Sequence, residues 1–290
     1  MFDRIRRDIS ARLKVAKAVP VQSWQSVKAP QPMPELLNYS LTYSLPTESL
    51  QFYRDQIQPN LPWADDHFEQ ERSSGVPLNP GTTYKYWVSG ASADTHRREQ
   101  GQFDHSYAER LWPKFAGITP DGTLPPKLRA QEPHSGIRFE YGDLDDLIKV
   151  LGADPLTRQG YVPLWFPEDL SAAAQSKRVP CTLGYHFIVR NNELHTIYYL
   201  RSCDFVRHFC DDAYLAIRLA HWVLGELRRR YPYTPPDDLE SQLTKMGCLP
   251  DQGGWEPTPC YNFDWGSVTL GTLTMHITSL HCFESDRSRL

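Results

Sequence analysis

The chain has 290 residues, of which 40% are hydrophobic and 23% charged, so it can bury a substantial core. A formal net charge of −4 argues against general binding of nucleic acid, and an anionic small ligand would need a local cluster of arginines. The six cysteines include no CxxC pair, and no run approaches the roughly 20 apolar residues of a membrane span. We therefore expect no disulfide framework, zinc ribbon or membrane span. The N-terminal sequence does not resemble a signal peptide, which predicts a cytoplasmic protein.

The N-terminal segment FDRIRRDISARLKVAK predicts a short amphipathic helix. Its apolar residues recur at helical spacing: Phe2, Ile5, Ile9 and Leu13. Proline-rich connectors are predicted near 20–35 and 45–63. We therefore expect residues 1–60 to form an N-terminal extension and residues 61–290 to form the main domain.

Four later segments show patterns of regular structure. GDLDDLIKVLGADP predicts a short helix closed by Gly152 and Pro155. CTLGYHFIVRNNELHTIYYLRS predicts a hairpin that turns at Asn191 and Asn192. DDAYLAIRLAHWVLGELRRRY predicts a long helix with leading acids and trailing arginines, and GSVTLGTLTMHITSLHCF predicts a late strand. The expected class is α+β, with a mainly antiparallel or mixed sheet backed by a long helix.

The segment RSCDFVRHFCDDAY, residues 201–214, is unusually dense in reactive side chains. The hairpin that precedes it predicts that Cys181, at the start of the first strand, lies near Arg201 and Ser202. A nearby arginine favours the thiolate, which is the nucleophilic form of cysteine. Arginine also binds phosphate through its planar fork. The alternative is that Cys181 is an inert buried residue, which is the commoner role of a lone cysteine.

The two strands and the segment after them resemble the active-site core of thymidylate synthase. In that family a Pro-Cys nucleophile precedes one strand, and an Arg-Ser-x-Asp segment follows its partner. Four residues match these positions: Cys181, Arg201, Ser202 and Asp204. DPLTRQGYVPLWFPED resembles the family's Asp-Pro-x-x-Arg-Arg stretch, with Arg158 at the first arginine and Gln159 replacing the second.

Two further segments extend the resemblance over roughly residues 60–284. FDHSYAERLWPKF resembles the family's active-site tyrosine segment, and Tyr107 matches the tyrosine. SLHCFE resembles the His-x-Tyr that holds the sugar 3′-hydroxyl, with His281 matching and Phe283 replacing tyrosine. MHITSLH also allows His276 at the histidine position.

The resemblance implies a thymidylate-synthase-like mixed sheet backed by helices, and a homodimer formed through the sheet. Arg158 would reach the phosphate of the other subunit's pyrimidine nucleotide. It also implies 5,10-methylenetetrahydrofolate as co-substrate and no metal. The thiolate of Cys181 would add to C6 of the pyrimidine, so that C5 could attack the one-carbon unit.

Further roles follow from the same resemblance. A glutamate on an early helix relays protons in the family, and HFEQERSSG offers Glu71 or, as an alternative, Glu69. Both could instead be solvated helix charges. Asp204 would contact the folate pterin, and Trp87 would form a wall against the exocyclic methylene.

The identity of the base is predicted by Asp212. Synthases that act on dUMP place an asparagine eleven positions after the arginine that Arg201 matches, and here that position is Asp212. An amide can donate to uracil O4, whereas a carboxylate can only accept and therefore fits the 4-amino group of cytosine. The alternative is that Asp211 and Asp212 only cap the following helix, but Asp211 suits the cap well and leaves Asp212 for the base.

The predicted activity is hydroxymethylation of dCMP, as in phage deoxycytidylate hydroxymethylases. Only seven residues follow Phe283, which predicts a site that closes less completely and admits water. Methylation of dCMP, action on CMP, and a non-catalytic pyrimidine-nucleotide binder are the alternatives. A metal site is the least favoured hypothesis, and it would use Cys203, His208, Cys210 and His281.

Overall fold

A computed structural model of the chain describes residues 2–21, 31–86, 102–115, 141–233 and 263–290. Within these ranges seven strands form one sheet. Their bounds are β1 Ala18–Val21, β2 Gln31–Ser44, β3 Tyr161–Pro163, β4 Thr182–Arg190, β5 Glu193–Leu200, β6 Cys203–Asp204 and β7 Thr269–His281. The order across the sheet is β1-β2-β7-β5-β4-β3, and β6 pairs with the end of β7.

Seven α-helices accompany the sheet in the described ranges. They are α1 Phe2–Val15, α2 Leu50–Ile57, α3 Trp63–His67, α4 Tyr107–Leu111, α5 Leu144–Ala153, α6 Pro167–Ala174 and α7 Phe209–Arg230. A π-helical turn, Phe68–Arg72, continues α3 directly, and a short 3₁₀ helix covers Glu284–Arg289. None of the described helices is long and apolar enough to span a bilayer.

The sheet is mixed, as predicted. β5 runs parallel to β7, whereas β4 and β5 are antiparallel and turn at Asn191 and Asn192. Both asparagines have positive φ, 52° and 58°, which matches a tight hairpin turn. The predicted short helix, long helix and late strand correspond to α5, α7 and β7.

One face of the sheet is buried against helix α7. Tyr185, Phe187, Tyr198 and Met275 point to this face and are almost inaccessible to solvent. The opposite face has polar and aromatic side chains that are partly or fully exposed. Among them are Ser40, Thr42, His186, His195, Tyr199, Thr274 and His276. Helix packing therefore stabilises one side of the sheet and leaves the other accessible.

Residues 2–21 and 31–57 belong to the same core as the other described residues. β2 lies between β1 and β7 in the sheet, and α1 buries Phe2, Ile9 and Leu13. The ring of Phe2 stacks on Phe209, the first residue of α7, at a centroid distance of 5.6 Å. The segment expected as an extension thus contributes two helices and two strands to the main body.

Candidate active site

The β4–β5 hairpin brings Cys181 and Arg201 together. Thr182 pairs with Leu200, so the residue before β4 meets the residue after β5, and the backbone N–H of Arg201 donates to the carbonyl oxygen of Cys181 at 2.9 Å. The predicted proximity of Cys181 and Arg201 is therefore confirmed.

The guanidinium of Arg201 is fixed by the chain that leads into β4. Its Nε donates to the Pro180 carbonyl at 2.8 Å, and one Nη donates to the Val179 carbonyl at 3.1 Å and approaches the Cys181 Sγ at 3.9 Å. No carboxylate in the described ranges forms an ion pair with Arg201, so its charge is free to bind an anion.

The Cys181 side chain is exposed to solvent, yet the protein around it raises the pKa of its thiol by desolvation. The guanidinium groups of Arg201 and Arg178 oppose this rise, and the charge of Asp212 adds to it. An accessible sulfur surrounded by protein is typical of a recess that a ligand can enter, here the recess between Cys181, Arg201 and Asp212. The same charges show that Asp212 lies within electrostatic range of the sulfur.

Asp212 lies in the first turn of α7 and faces this recess. Burial raises the pKa of its carboxyl group to about 7, while the Arg72 cation and a hydrogen bond from the Cys203 thiol, 3.5 Å from Oδ2, act in the opposite direction. A carboxyl group with this pKa can both accept and release a proton near neutral pH.

Asp211 has a different role from the one expected. Helix α7 begins at Phe209 without a side-chain cap, and the Asp211 carboxylate accepts a hydrogen bond from the Asn60 N–H at 2.7 Å. The prediction that Asp211 caps the helix is wrong, because the helix starts two residues earlier than the sequence pattern indicates. Asp211 instead joins α7 to the segment before α3.

Tyr107, at the start of α4, lies in the wall beside Cys181. Its hydroxyl accepts a hydrogen bond from Thr182 Oγ1 at 3.2 Å, and Thr182 also contacts the Tyr198 hydroxyl at 2.8 Å. Desolvation, together with the charges of Cys181 and Asp212, raises the pKa of Tyr107. Tyr107 is thus close to both groups, and its predicted role as an active-site tyrosine stays a prediction.

Glu71 is held in a buried cluster with His67 and Thr83. Its carboxylate accepts from the Thr83 N–H at 2.8 Å and contacts His67 Nδ1 at 2.9 Å. It also packs over Gly81, where an added Cβ would lie 1.9 Å from Glu71 Cδ. Burial alone would raise the pKa of Glu71, but the contacts with His67 and Thr83 outweigh it and lower that pKa. The alternative relay, Glu69, pairs with Arg218 at 2.9 Å.

Arg72, the residue next to Glu71, faces the recess instead. Its side chain is 3% exposed, and its guanidinium lies over the Tyr107 ring at 4.5 Å from the centroid. Sequence reasoning missed both Arg72 and Arg178. The stretch SKRVPC, just before Cys181, contained the only local signal for Arg178.

Asp204 and Ser202 follow β5 at the edge of the recess. Asp204 is 5% exposed, and its Oδ1 accepts from the N–H groups of Val206 and Arg207. Its Oδ2 has no hydrogen bond but lies 3.5 Å from Arg207 Nε. The hydroxyl of Ser202 has no hydrogen-bond partner in the described ranges. Both side chains thus keep hydrogen-bonding capacity for a ligand.

The two candidate histidines occupy different faces of β7. His281 pairs with Asp204 across β6 and β7, and the charges of Asp204, Glu35 and Arg201 act on it, although burial dominates and lowers its pKa. His276 lies on the exposed face and contacts Ser40 Oγ at 2.7 Å. Only His281 is on the side of the recess.

Arg158 is exposed on the open side of the sheet. Its carbonyl accepts from His186 Nε2 at 2.9 Å, and its guanidinium forms no ion pair with any described residue. Trp87, the predicted wall residue, lies outside the described residues.

The remaining candidate sites do not coincide with this recess. Two surface hollows of about 360 and 460 Å³ lie along β2, and neither is lined by Cys181, Arg201 or Asp212. In the described ranges the potential metal ligands that converge are Asp143, Asp145 and Asp146, which lie beside Lys114. The four residues of the alternative metal site do not converge in this way.

Comparison with known proteins agrees with the geometry. The thymidylate synthase family model matches residues 82–210. The fold is similar to that of thermostable thymidylate synthase A from Bacillus subtilis, with a TM-score of 0.53 and 14% identity over 99% of this chain and 81% of that chain. A search of curated proteins found no match. The family match and the shared fold support the predicted resemblance to thymidylate synthase, and the fold class is confirmed as thymidylate-synthase-like.

Proposed function

We propose that the chain transfers a hydroxymethyl group to C5 of dCMP, with Cys181 as the nucleophile and 5,10-methylenetetrahydrofolate as co-substrate. The observation that carries the proposal is the recess that Cys181, Arg201 and Asp212 share. A sulfur, an unpaired guanidinium and a carboxylate are the three groups needed to attack, anchor and select a cytosine nucleotide.

Arg201 and Cys181 supply the anchor and the nucleophile. The Pro180 and Val179 carbonyls hold the guanidinium of Arg201 through Nε and one Nη, and a bound phosphate would complete its hydrogen bonding through the remaining N–H groups. Its charge, 3.9 Å from Sγ, also favours the thiolate that adds to pyrimidine C6. Ser202 and, from a partner subunit, Arg158 would add phosphate contacts.

Asp212 selects the base. An ionised carboxylate accepts from the 4-amino group of cytosine, but it meets uracil O4 acceptor to acceptor. Because its pKa is about 7, Asp212 can also pass a proton to N3 as the thiolate adds. The predicted relay, Glu71, acts in this proposal through His67 and Arg72, because its carboxylate is bonded to His67 and Thr83.

Folate and sugar would bind at the edge of the recess. The Oδ2 of Asp204, which pairs with Arg207 but accepts no hydrogen bond, offers an acceptor for a pterin donor, and His281 lies beside it for the sugar hydroxyl. The folate supplies the one-carbon unit. The chain's own residues orient the base and move the protons.

The exposure of Cys181 supports hydroxymethyl rather than methyl as the product. Water that reaches the sulfur also reaches the neighbouring C5 substituent, so hydration competes with slow hydride transfer. Methylation of dCMP is the alternative product.

The exposed face of the sheet supports a homodimer. It is continuous, polar and aromatic, and Arg158 lies at its edge next to His186. A second copy on this face would bring its Arg158 toward the recess and leave no large uncovered sheet surface.

The test is a mass spectrum of the nucleotide formed from dCMP and methylenetetrahydrofolate by the purified protein. A product heavier than dCMP by one hydroxymethyl group is expected. A methylated product would assign the methyltransferase alternative, and unmodified dCMP together with unmodified dUMP and CMP controls would overturn the proposal.

A further inference from the structure

Arg72 is a buried cation without a carboxylate partner. None of the described acids lies within ion-pair distance of its guanidinium, and its side chain is 3% exposed. Its Nε donates to His67 Nε2 at 3.0 Å and its Nη1 donates to the Tyr185 hydroxyl at 3.4 Å. An unpaired buried charge is costly, so its retention in the fold needs a reason beyond packing.

The orientation of Arg72 is set by His67 and Glu71. The guanidinium can only donate, so His67 Nε2 must accept and the proton must be on Nδ1, which faces Glu71 at 2.9 Å. Trp63 stacks on the His67 ring at 5.0 Å and fixes its plane. Burial lowers the pKa of His67, which keeps the ring neutral and able to accept.

The other side of the guanidinium faces the recess. It covers the Tyr107 ring, and its charge is the strongest influence that opposes the rise in the Asp212 pKa. The remaining hydrogen-bond donor to Asp212 is a thiol, Cys203, which is a weak one. Arg72 is therefore the main group that stabilises the ionised form of this buried carboxylate.

We infer that Arg72 is a positioning residue for base specificity, held by Glu71 and His67 so that its charge keeps Asp212 available as an acceptor for the amino edge of cytosine. This inference rests on the proposed function. Without the cation, Asp212 would be protonated at neutral pH, and a neutral carboxyl group can donate to uracil O4 as an amide does. Arg72 then sets the pH at which the preference between the two bases changes.

Several other groups also act on Asp212 or feel its charge. They come from α7, β4, β5, β6, α4 and the turns between them: Asp204, Asp211, Cys181, Cys203, Cys210, Tyr107, Tyr185 and Tyr198. All of them are acids or neutral groups, so replacing Arg72 should move the titration of Asp212 in one direction only.

The experiment is a carbon-13 titration of the Asp212 carboxyl group, assigned with Asp212→Asn, in the wild type, Arg72→Gln and Arg72→Lys. We expect Arg72→Gln to raise the midpoint by about one pH unit or more, and Arg72→Lys to shift it less. The matched control is Arg218→Gln. Arg218 is also a buried arginine between α3 and α7, but it is paired with Asp65 and Glu69, and its loss should leave the midpoint unchanged.

Binding of dCMP and dUMP is measured on the same proteins across the same pH range. The inference is supported if the pH at which the preference changes moves upward in Arg72→Gln together with the carboxyl midpoint. It is overturned if the wild type binds dCMP and Arg72→Gln changes neither the midpoint of the Asp212 titration nor the pH at which the preference between the bases changes. A wild type that binds no pyrimidine nucleotide would instead overturn the proposed function, and this inference with it.

If Arg72→Gln fails to fold, Glu71→Gln gives a second test. It leaves the cation in place but replaces the carboxylate, which can only accept from His67 Nδ1, with an amide that can also donate to it. The His67 proton is then no longer fixed, so the Asp212 midpoint should rise, by less than in a charge deletion. An unchanged midpoint in a folded Glu71→Gln would refute the orienting role of the pair.

Discussion

Replacing Asp212 with asparagine should convert a cytosine site into a uracil site. The wild-type carboxylate opposes uracil O4, which removes a charge-assisted hydrogen bond of about 1.5–3 kcal/mol and leaves a buried acceptor unsatisfied at about 1–3 kcal/mol. The sum, about 3–6 kcal/mol, corresponds to a factor of about 10²–10⁴ in relative kcat/KM for the ionised carboxylate, so the comparison is made well above pH 7, where that form predominates. Asp212→Asn should reverse the preference by a factor in this range.

The assay is release of tritium from C5 of dCMP and dUMP in competition, which reports on both bases in one reaction. Asp211→Asn is the matched control, since the neighbouring carboxylate bonds to the Asn60 N–H and faces away from the recess. An Asp212→Asn protein that keeps the wild-type preference while turning over would refute the base-reading role.

Four other predictions follow from the site. Above pH 7, Asp212→Asn should be more stable than the wild type by up to about 4 kcal/mol, because the raised pKa of about 7 makes ionisation of the buried carboxyl group costly. This difference in the free energy of unfolding should shrink as pH falls from 7 and vanish near pH 4, as measured by thermal unfolding. Arg201→Gln should slow alkylation of Cys181 by iodoacetamide near neutral pH by roughly three- to tenfold, and an equal rate would show that the guanidinium does not act on the thiol. Glu71→Gln should lower the free energy of unfolding by about 1–3 kcal/mol in urea; a variant of full stability without turnover would restore Glu71 as a direct proton relay. Mixing inactive Arg158→Ala and Cys181→Ala proteins should restore about a quarter of wild-type activity, and no recovery would contradict a site completed by the partner subunit.

The hairpin and the long helix were predictable because their signals are local. Alternating apolar residues end at Asn191 and Asn192, which tolerate the positive φ that the turn requires. The antiparallel register from this turn predicts Cys181 beside Arg201 and Ser202, and a register shift between Thr182 and Gly184 then sets it opposite Arg201.

Strand β2 was not predicted, because its beginning looks like a connector. Pro32 and Pro34 lack the N–H that a ladder needs, yet they fall where β2 pairs only with the short edge strand β1. Beyond Pro34 the strand pairs with β7, and its role in the sheet depends on that distant partner.

The position of Arg72 near Asp212 could not be predicted from the sequence either. Glu71 and Arg72 are adjacent in a polar stretch that is typical of a solvated helix face. Only the π-helical turn and the packing of α3 on α7 bury both side chains and place them at the two ring nitrogens of His67. Such placements depend on tertiary contacts, which no local pattern encodes.

The most direct test of the account is the release of tritium from C5 of dCMP in the presence of methylenetetrahydrofolate, compared between the wild type, Cys181→Ala and Cys282→Ala. Cys282 is a buried thiol that donates to the Phe283 carbonyl, so it controls for the loss of a sulfur. The account predicts release by the wild type and Cys282→Ala and none by Cys181→Ala. Release by a folded Cys181→Ala protein would contradict it.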